Sequence, residues 1–291
     1  MSVLAVVNRK GGSGKSTLAT HVAAWLSGQG LPTVLADVDR QQSTQTWLRR
    51  RAQQAGVQRT RLSGWSVDPR NVVRPPTTGG HVVLDTPGGL RGFDLARVVM
   101  YADAILMPVC NSVFDRESAA ECVAELRTLP RVASGRCRLA AVGMRIDART
   151  KADGVLRAWA DALQLPFVGV LRDTQAYVRC IEDGLTLFDL PAAKVAQDLA
   201  QWQSILDWLA PLVQPDAAAE AQPAGQTIAR ALPPDRRAPS APRAVPPAAA
   251  TGLPARVAPT PQRPMGAAAA PTRLGRLLGA LAIPRFLQRD A

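Results

Sequence analysis

A glycine-rich stretch near the start of the chain has the residue types and spacing that bind phosphate. The sequence NRKGGSGKST spans residues 8–17, between a short apolar run and an amphipathic one. In a strand–loop–helix context, the backbone N–H groups of residues 11–16 converge on phosphate oxygens at the positive end of the helix. Lys15 would contact the β- and γ-phosphates of a nucleotide, and the Ser16 hydroxyl would ligate Mg²⁺. The nucleotide-binding residues that the loop itself predicts are Gly11, Gly12, Ser13, Gly14, Lys15, Ser16 and Thr17.

Carboxylates follow two other apolar runs and bring a second kind of chemistry. Asp37 and Asp39 stand in VLADVDRQQS, and Asp85 stands in HVVLDTPGG. Alternation along a strand predicts that the side chains of Asp37 and Asp39 lie on the same side, at the end of the sheet that carries the phosphate loop. The Pro-Gly-Gly after Thr86 predicts a switch loop that responds to a γ-phosphate.

Short apolar runs alternate with amphipathic stretches over the first 210 residues, and these elements must position the loop and the carboxylates. Strands are predicted at residues 3–7, 33–38, 81–84, 104–109, 138–144 and 167–171. Helices are predicted at residues 18–29, 44–54, 115–129, 151–163 and 192–209. This alternation predicts an α/β fold with a mostly parallel central sheet and helices on both faces. The phosphate loop after the first strand indicates that the fold is of the P-loop NTPase type.

The composition of the 291 residues is that of a globular protein with a basic surplus. The net charge of +12 favours anionic partners such as nucleic acid or acidic lipid. The four cysteines lack metal-site spacing, which is typical of reduced core thiols in a cytosolic protein. No run reaches the ~18 apolar residues of a membrane span, and the N-terminus lacks the features of a signal peptide.

The composition changes after Pro211, and three regions are predicted. Residues 1–210 are the folded domain, residues 211–271 are a disordered linker rich in Ala, Pro and Arg, and residues 272–291 are a short basic amphipathic segment. From residue 214 onward there are ten arginines and four acidic residues, so the tail carries half of the net charge. The apolar face of the terminal segment consists of Leu274, Leu277, Leu278 and Leu281.

Three motifs in this order resemble those of the ParA/MinD family of partitioning and positioning ATPases. The loop reads K-G-G-x-G-K-[ST], the deviant Walker A motif, with Arg9 at the first glycine of the standard pattern. The segment with Asp37 and Asp39 resembles the family's D-x-D-P-Q, although Arg40 replaces the proline, and HVVLD resembles a Walker B strand. The resemblance covers residues 1–210.

The resemblance implies a role for each motif residue. It implies catalytic roles for Lys10, Lys15 and Asp39: Lys10 reaches the nucleotide of the other subunit in an ATP-dependent homodimer, and Asp39 positions the attacking water. Ser16, Asp37 and Asp85 are implied around Mg²⁺, with Asp37 and Asp85 acting through water. The implied activity is ATP hydrolysis, weak until an activating cargo-adaptor protein, ParB-like or other, stimulates it.

Two kinds of binding partner are compatible with the sequence. The leading prediction is non-specific DNA binding in the cytoplasm, on the nucleoid, because phosphate contacts need no base specificity. The predicted DNA contacts are Arg145, Arg149, Lys151, Arg172 and Arg179, with Arg157 nearby in the chain. The alternative is a MinD-like ATPase that cycles on a membrane through the segment 272–291, a segment that equally suits docking to a protein partner.

Two related enzyme classes fit the sequence less well. An iron–sulfur reductase of the nitrogenase type needs paired cysteines in the Walker B and switch segments, which contain none. A bacterial tyrosine kinase carries a C-terminal tyrosine cluster, but this chain has only Tyr101 and Tyr177. The cargo itself is not specified by any motif.

Overall fold

The computed structural model describes residues 1–55, 61–68, 74, 76, 80–147 and 149–213. The last helix of the described residues ends at Val213, three residues beyond the predicted domain boundary at residue 210. The predicted linker lies outside the described residues except for residues 211–213, and the segment 272–291 lies wholly outside them. The three predicted regions therefore stay predictions.

The centre of the fold is a seven-stranded parallel sheet. Its strands are β1 (Val3–Val6), β2 (Thr33–Asp37), β3 (Leu62–Ser66), β4 (His81–Asp85), β5 (Ala104–Val109), β6 (Arg138–Ile146) and β7 (Phe167–Arg172). The order is β3-β2-β4-β1-β5-β6-β7, and every neighbouring pair is parallel. Strands β1, β4 and β5 are buried along their whole length, as their continuous apolar sequences predict.

Helices cover both faces of the sheet, and each face has its own apolar core. The helices are α1 (Lys15–Gly28), α2 (Ser43–Arg51), α3 (Gly92–Val99), α4 (Val113–Thr128), α5 (Pro130–Ala133), α6 (Ala152–Ala162), α7 (Gln175–Glu182) and α8 (Ala192–Val213). One core holds the apolar side of α1 and α8, and the other holds that of α3, α4 and α6. The predicted fold class is confirmed.

Four elements were not predicted from the sequence: strand β3 and helices α3, α5 and α7. Strand β3 is an edge strand of sequence LSGWS that is largely exposed, so it lacks the apolar run by which the buried strands were recognised. The three helices are eight residues long or shorter, which leaves few turns in which helical periodicity can be detected. None of the helices in the described ranges is long and apolar enough to cross a membrane.

The parallel arrangement places the carboxyl ends of all seven strands at one edge of the sheet. In such sheets, ligands bind in the crevice outside this edge. The register places Asp85 beside Val6 on β1 and beside Asp37 on β2. The phosphate loop, which follows β1, therefore lies next to both predicted acidic segments.

Candidate phosphate-binding and catalytic site

The loop between β1 and α1 has the backbone conformation of a phosphate-binding loop. Gly12 and Gly14 have φ values of 74° and 92°, a left-handed region that glycine adopts without steric cost. A Cβ atom on Gly14 would lie 2.7 Å from the Cε atom of Met144, the flexible end of a side chain, so the left-handed φ rather than the lack of space is what favours glycine here. Gly14 is the N-cap of α1 and supplies no side-chain hydrogen bond, which leaves the first N–H groups of the helix free for an anion.

Lys15 crosses the loop that it belongs to. Its side chain is buried, and its Nζ donates a hydrogen bond to the Lys10 carbonyl oxygen at 3.0 Å. Burial lowers the pKa of the Lys15 ammonium, whereas the charges of Asp85 and Asp39 act in the opposite direction. The loop therefore positions the Lys15 ammonium next to the free N–H groups.

A cleft of about 480 Å³ opens at this edge of the sheet. It is lined by Gly11, Gly12, Gly14, Lys15, Ser16, Thr17, Asp39, Gln41, Ser43, Thr86, Pro87, Gly88 and Arg145. The cleft brings together most of the predicted nucleotide-binding residues and Asp39. It also includes Arg145, which the sequence assigned to DNA. Lys10, Ser13, Asp37 and Asp85 do not line it.

Asp85 lies beneath the cleft. It is 1 % exposed, and neither of its carboxylate oxygens has a hydrogen-bond partner among the described residues. Burial raises the pKa of Asp85 to about 7, an effect that the nearby Ser16 hydroxyl and Lys15 partly oppose and that Asp37 and Asp39 strengthen. An unsatisfied buried carboxylate beside a serine hydroxyl suits a hard divalent cation, because Mg²⁺ prefers oxygen ligands. The residues present therefore fit Mg²⁺.

Asp37 has a structural role that sequence reasoning missed. Its Oδ2 accepts hydrogen bonds from the Thr44 N–H at 3.0 Å, the Thr44 hydroxyl at 2.7 Å and the Gln45 N–H at 3.2 Å, and its Oδ1 accepts one from the Asp39 N–H. The fully buried carboxylate thus caps the N-terminus of α2. Because β2 ends at Asp37, strand alternation does not extend to residue 39, and only Asp39 lines the cleft.

The predicted switch loop is hydrogen-bonded to the phosphate loop. The Gly89 N–H donates to the Arg9 carbonyl oxygen at 2.8 Å, and the Thr86 hydroxyl donates to the Val6 carbonyl oxygen at 2.7 Å. A Cβ atom on Gly88 would lie 3.3 Å from that Arg9 oxygen, so the two loops approach closely. A displacement of the switch loop would therefore also displace the phosphate loop.

Arg9 connects the phosphate loop to two helices, and sequence reasoning missed this role. Its guanidinium forms ion pairs with Glu121, at 3.2 Å, and with Glu125, both on α4. Glu125 in turn accepts a hydrogen bond from the Gly92 N–H at the start of α3. The spacing of the two glutamates, i and i+4 on one helix, is the signal from which a shared cationic partner was predictable.

The other basic residues to which the sequence assigns a role differ in whether an ion pair holds them. The Lys10 ammonium is exposed and makes no hydrogen bond or ion pair within the described ranges. Arg149, Arg157 and Arg172 are ion-paired with Asp147, Asp153 and Asp198, respectively. Lys151 and Arg179 are exposed, on the elements that follow β6 and β7. The DNA-binding role of these residues stays a prediction.

Comparison with known proteins identifies similar chains. The family model for the CobQ/CobB/MinD/ParA nucleotide binding domain matches residues 4–188, well over half of the chain. Two curated relatives are both called "Maintenance of carboxysome distribution protein A". The one from Halothiobacillus neapolitanus is 26% identical over 191 residues, 65% of this chain and 88% of that protein. The one from Gloeobacter kilaueensis is 28% identical over 211 residues, 71% of this chain and 93% of that protein.

Solved structures of low sequence identity share the fold. The apo McdA structure from Cyanothece has a TM-score of 0.57 at 15% identity, over 71% of this chain and 99% of that one. The MinC:MinD complex of Aquifex aeolicus has a TM-score of 0.57 at 16% identity, over 72% of this chain and 96% of that one. MinD of Pyrococcus horikoshii, solved with Mg-ADP, has a TM-score of 0.56 at 15% identity, over 74% of this chain and 99% of that one.

Proposed function

Because this chain belongs to the CobQ/CobB/MinD/ParA nucleotide-binding family, we propose that it is an ATPase that uses ATP binding and hydrolysis to position a cargo. The observation that carries the proposal is the cleft itself. Free N–H groups of the phosphate loop, the buried Lys15 ammonium and Asp39 line one space, with the unsatisfied Asp85 carboxylate beneath it. This set of groups suits a nucleoside triphosphate and Mg²⁺.

Each side chain has a separate task in the proposed hydrolysis. The N–H groups of the loop and Lys15 bind the phosphate oxygens and neutralise the charge that develops during transfer. Asp39 holds the attacking water in line with the terminal phosphate. Ser16 and Asp85 would hold Mg²⁺, which would supply further positive charge at the phosphates. The hydrogen bond from Gly89 to Arg9 would carry the change at the terminal phosphate to α3.

The proposed active form is a homodimer assembled by ATP, with Lys10 contributing in trans. The exposed Lys10 ammonium has no partner among the described residues, whereas its carbonyl oxygen is engaged by Lys15. A cation that is added only on assembly would couple turnover to dimerisation. Hydrolysis would then be slow until an adaptor protein stabilises the competent arrangement.

The proposed cargo is a large protein assembly or a DNA molecule, moved over the nucleoid in the cytoplasm. The relatives named for carboxysome distribution support a protein cargo. The proposed matrix is DNA, bound through phosphates at Arg149, Lys151, Arg172 and Arg179. The alternative matrix, a membrane surface, depends on the leucine-rich segment 272–291, which lies outside the described residues.

The proposal is tested by measuring nucleotide binding, mass and turnover of the full-length protein. We expect a monomer with ADP and a dimer with ATP when hydrolysis is blocked by Asp39→Ala. Lys15→Ala should abolish Mg-ATP binding, because it removes the buried cation at the phosphates. Lys10→Ala should keep nucleotide binding but lose both the dimer and ATP turnover. Light scattering and phosphate release, with adaptor protein or DNA added, are the measurements.

Lys194→Ala is the matched control, because Lys194 is an exposed lysine on α8 that does not line the cleft. This variant should bind, assemble and hydrolyse as the wild type does. One unchanged mass in both nucleotide states would contradict the trans role of Lys10. Failure of the wild type to bind Mg-ATP would contradict the proposed function as a whole.

A further inference from the structure

The switch loop, residues 86–92, is rich in glycine where it leaves the cleft for α3. Thr86, Pro87 and Gly88 line the cleft, and α3 begins at Gly92. Gly89 and Gly92 have φ values of 78° and 53°, in the left-handed region that favours glycine. Because glycine has more backbone freedom to lose than any other residue, such a loop keeps one position only where other groups hold it.

Two hydrogen bonds that hold the switch loop beyond the cleft lead to Arg9. The Gly89 N–H donates to the Arg9 carbonyl oxygen at 2.8 Å, and the Gly92 N–H donates to the Glu125 carboxylate. Glu125 is itself ion-paired with the Arg9 guanidinium. Arg9 therefore holds the switch loop twice, directly through its backbone and indirectly through its side chain.

The Arg9 side chain is buried, and it does not line the cleft. It is 8 % exposed and pairs with carboxylates on successive turns of α4, of which Glu121 is 65 % exposed and Glu125 is 23 % exposed. Loss of one partner of a poorly solvated ion pair leaves the other charge uncompensated, so the pair with Glu125 resists separation. The pair with Glu121 lies mostly in water and is worth little by itself.

We infer that Arg9 is a positioning residue for ATP hydrolysis, which acts by holding the switch loop against the phosphate loop through Glu125. This inference rests on the proposed function, because it assumes that ATP is hydrolysed in the cleft. A switch loop that is already held meets the terminal phosphate without first being ordered, which lowers the entropy cost of reaching the transition state. ADP lacks that phosphate, so its binding does not use this arrangement. Helix α4 thus contributes to turnover although its glutamates do not line the cleft.

The test separates turnover from nucleotide binding in the full-length protein. Arg9→Met removes the positive charge, and Glu125→Gln keeps the size of the side chain but loses the ion pair. We expect each variant to lower kcat roughly tenfold, with the KM for ATP and the dissociation constant for ADP unchanged. The double variant should lose no more than either single one, because both break the same link. Arg9→Lys keeps the charge and should retain more turnover than Arg9→Met. Phosphate release with Mg-ATP and calorimetry with Mg-ADP are the measurements.

Glu117→Gln is the matched control, because Glu117 is an exposed glutamate of α4, one turn before Glu121. It should hydrolyse ATP as the wild type does. Glu121→Gln should lower kcat less than about twofold, since its ion pair with Arg9 is exposed. Equal losses in Glu121→Gln and Glu125→Gln would overturn the inference, because the effect would then follow the charge of Arg9 and not the bond to Gly92.

Three further outcomes would contradict the positioning role. Unchanged kcat in both Arg9→Met and Glu125→Gln, with wild-type turnover intact, would overturn it and leave the proposed function standing. A matching loss of ADP binding would overturn it too, because it would indicate a distorted phosphate loop. Loss of the ATP-dependent dimer, measured by light scattering, would show that Arg9 acts through the adjacent Lys10 instead. A wild type that does not hydrolyse ATP would overturn both this inference and the proposed function.

Discussion

At the scale of single residues, Asp85 and Asp37 show how two neighbouring carboxylates come to serve different purposes. The register pairs them side by side, and both are buried. Asp37 receives four hydrogen bonds, three of them from Thr44 and Gln45 of α2, so its negative charge is compensated within the protein. Neither carboxylate oxygen of Asp85 has a hydrogen-bond partner among the described residues, so only the nearby Ser16 hydroxyl and Lys15 ammonium offset the cost of burying its charge until a cation binds. An unpaired buried charge is costly, and such costs are typical of binding sites.

This difference predicts that Asp85→Asn stabilises the ligand-free protein. At pH 8 the substitution removes an unpaired buried charge, and we expect a gain of about 1–2 kcal/mol in the free energy of unfolding, or about 2–6 °C in Tm. The variant should also lose the Mg²⁺-dependent stabilisation by ATP. Thermal unfolding with and without Mg-ATP measures both effects. The exposed Asp207→Asn should change neither, and an Asp85→Asn protein that is less stable than the wild type would contradict the prediction.

At the scale of elements, helix α1 follows the phosphate loop and packs against α8 in the core that the two helices share. His21 lies at the centre of this contact, and its ring stacks on that of Trp202 with centroids 5.3 Å apart. Its Nδ1 lies 2.8 Å from the Thr17 carbonyl oxygen, and its Nε2 accepts a hydrogen bond from the Leu187 N–H at 3.3 Å. This pattern requires the neutral ring with the proton on Nδ1. Burial lowers the pKa of His21 to about 4, with Asp189 and Arg51 as nearby charged residues.

The lowered pKa of His21 predicts a loss of stability in mild acid. Between pH 6.5 and 4 the unfolded chain binds a proton that the folded protein does not, so the free energy of unfolding falls as the pH falls. The loss from this group is about 2 kcal/mol between pH 7.5 and 5. Urea unfolding across this range should show a smaller fall in His21→Gln than in the wild type. An identical fall in both proteins would contradict the assignment, and His81→Gln serves as the comparison for a second buried histidine.

At the scale of the whole molecule, one edge of the sheet carries both the cleft and the basic segments that follow β6 and β7. Arg149 and Arg172 are ion-paired, so binding a DNA phosphate through either requires competition with a carboxylate. Lys151 and Arg179 are exposed, and no ion pair holds either one within the described ranges. Among the predicted DNA contacts, these two therefore offer the least hindered positive charge. Nucleotide state and DNA binding would be linked because they share this edge.

We predict that Lys151→Ala/Arg179→Ala weakens DNA binding by the ATP-bound protein to the same extent for unrelated sequences. Loss of two phosphate contacts should reduce the slope of log K against log [salt] by about two. Titration of labelled duplexes at several salt concentrations measures the slope, and Arg136→Ala, at the opposite edge, is the control. Binding that survives unchanged in the double variant but is lost on deletion of residues 214–291 would assign the DNA contacts to the tail.

The sequence alone was sufficient for features that depend on short-range order. The glycines and Lys15 specify the phosphate loop, and the continuous apolar runs before Asp37 and Asp85 identify buried strands, because these patterns are complete within about ten residues. The edge strand β3 and the short helices lack such patterns and were missed.

Only the tertiary structure decided which side chains meet. The cap that Asp37 forms on α2, the ion pairs of Arg9 with α4 and the position of Arg145 in the cleft all depend on strand register and helix packing. The irregular pairing of β6 with β7 at Arg145 is the clearest example, since one inserted residue changes the direction of a side chain while the local sequence still predicts a regular strand. Contacts between segments far apart in the chain follow from how the whole sheet is assembled, and no local pattern encodes them.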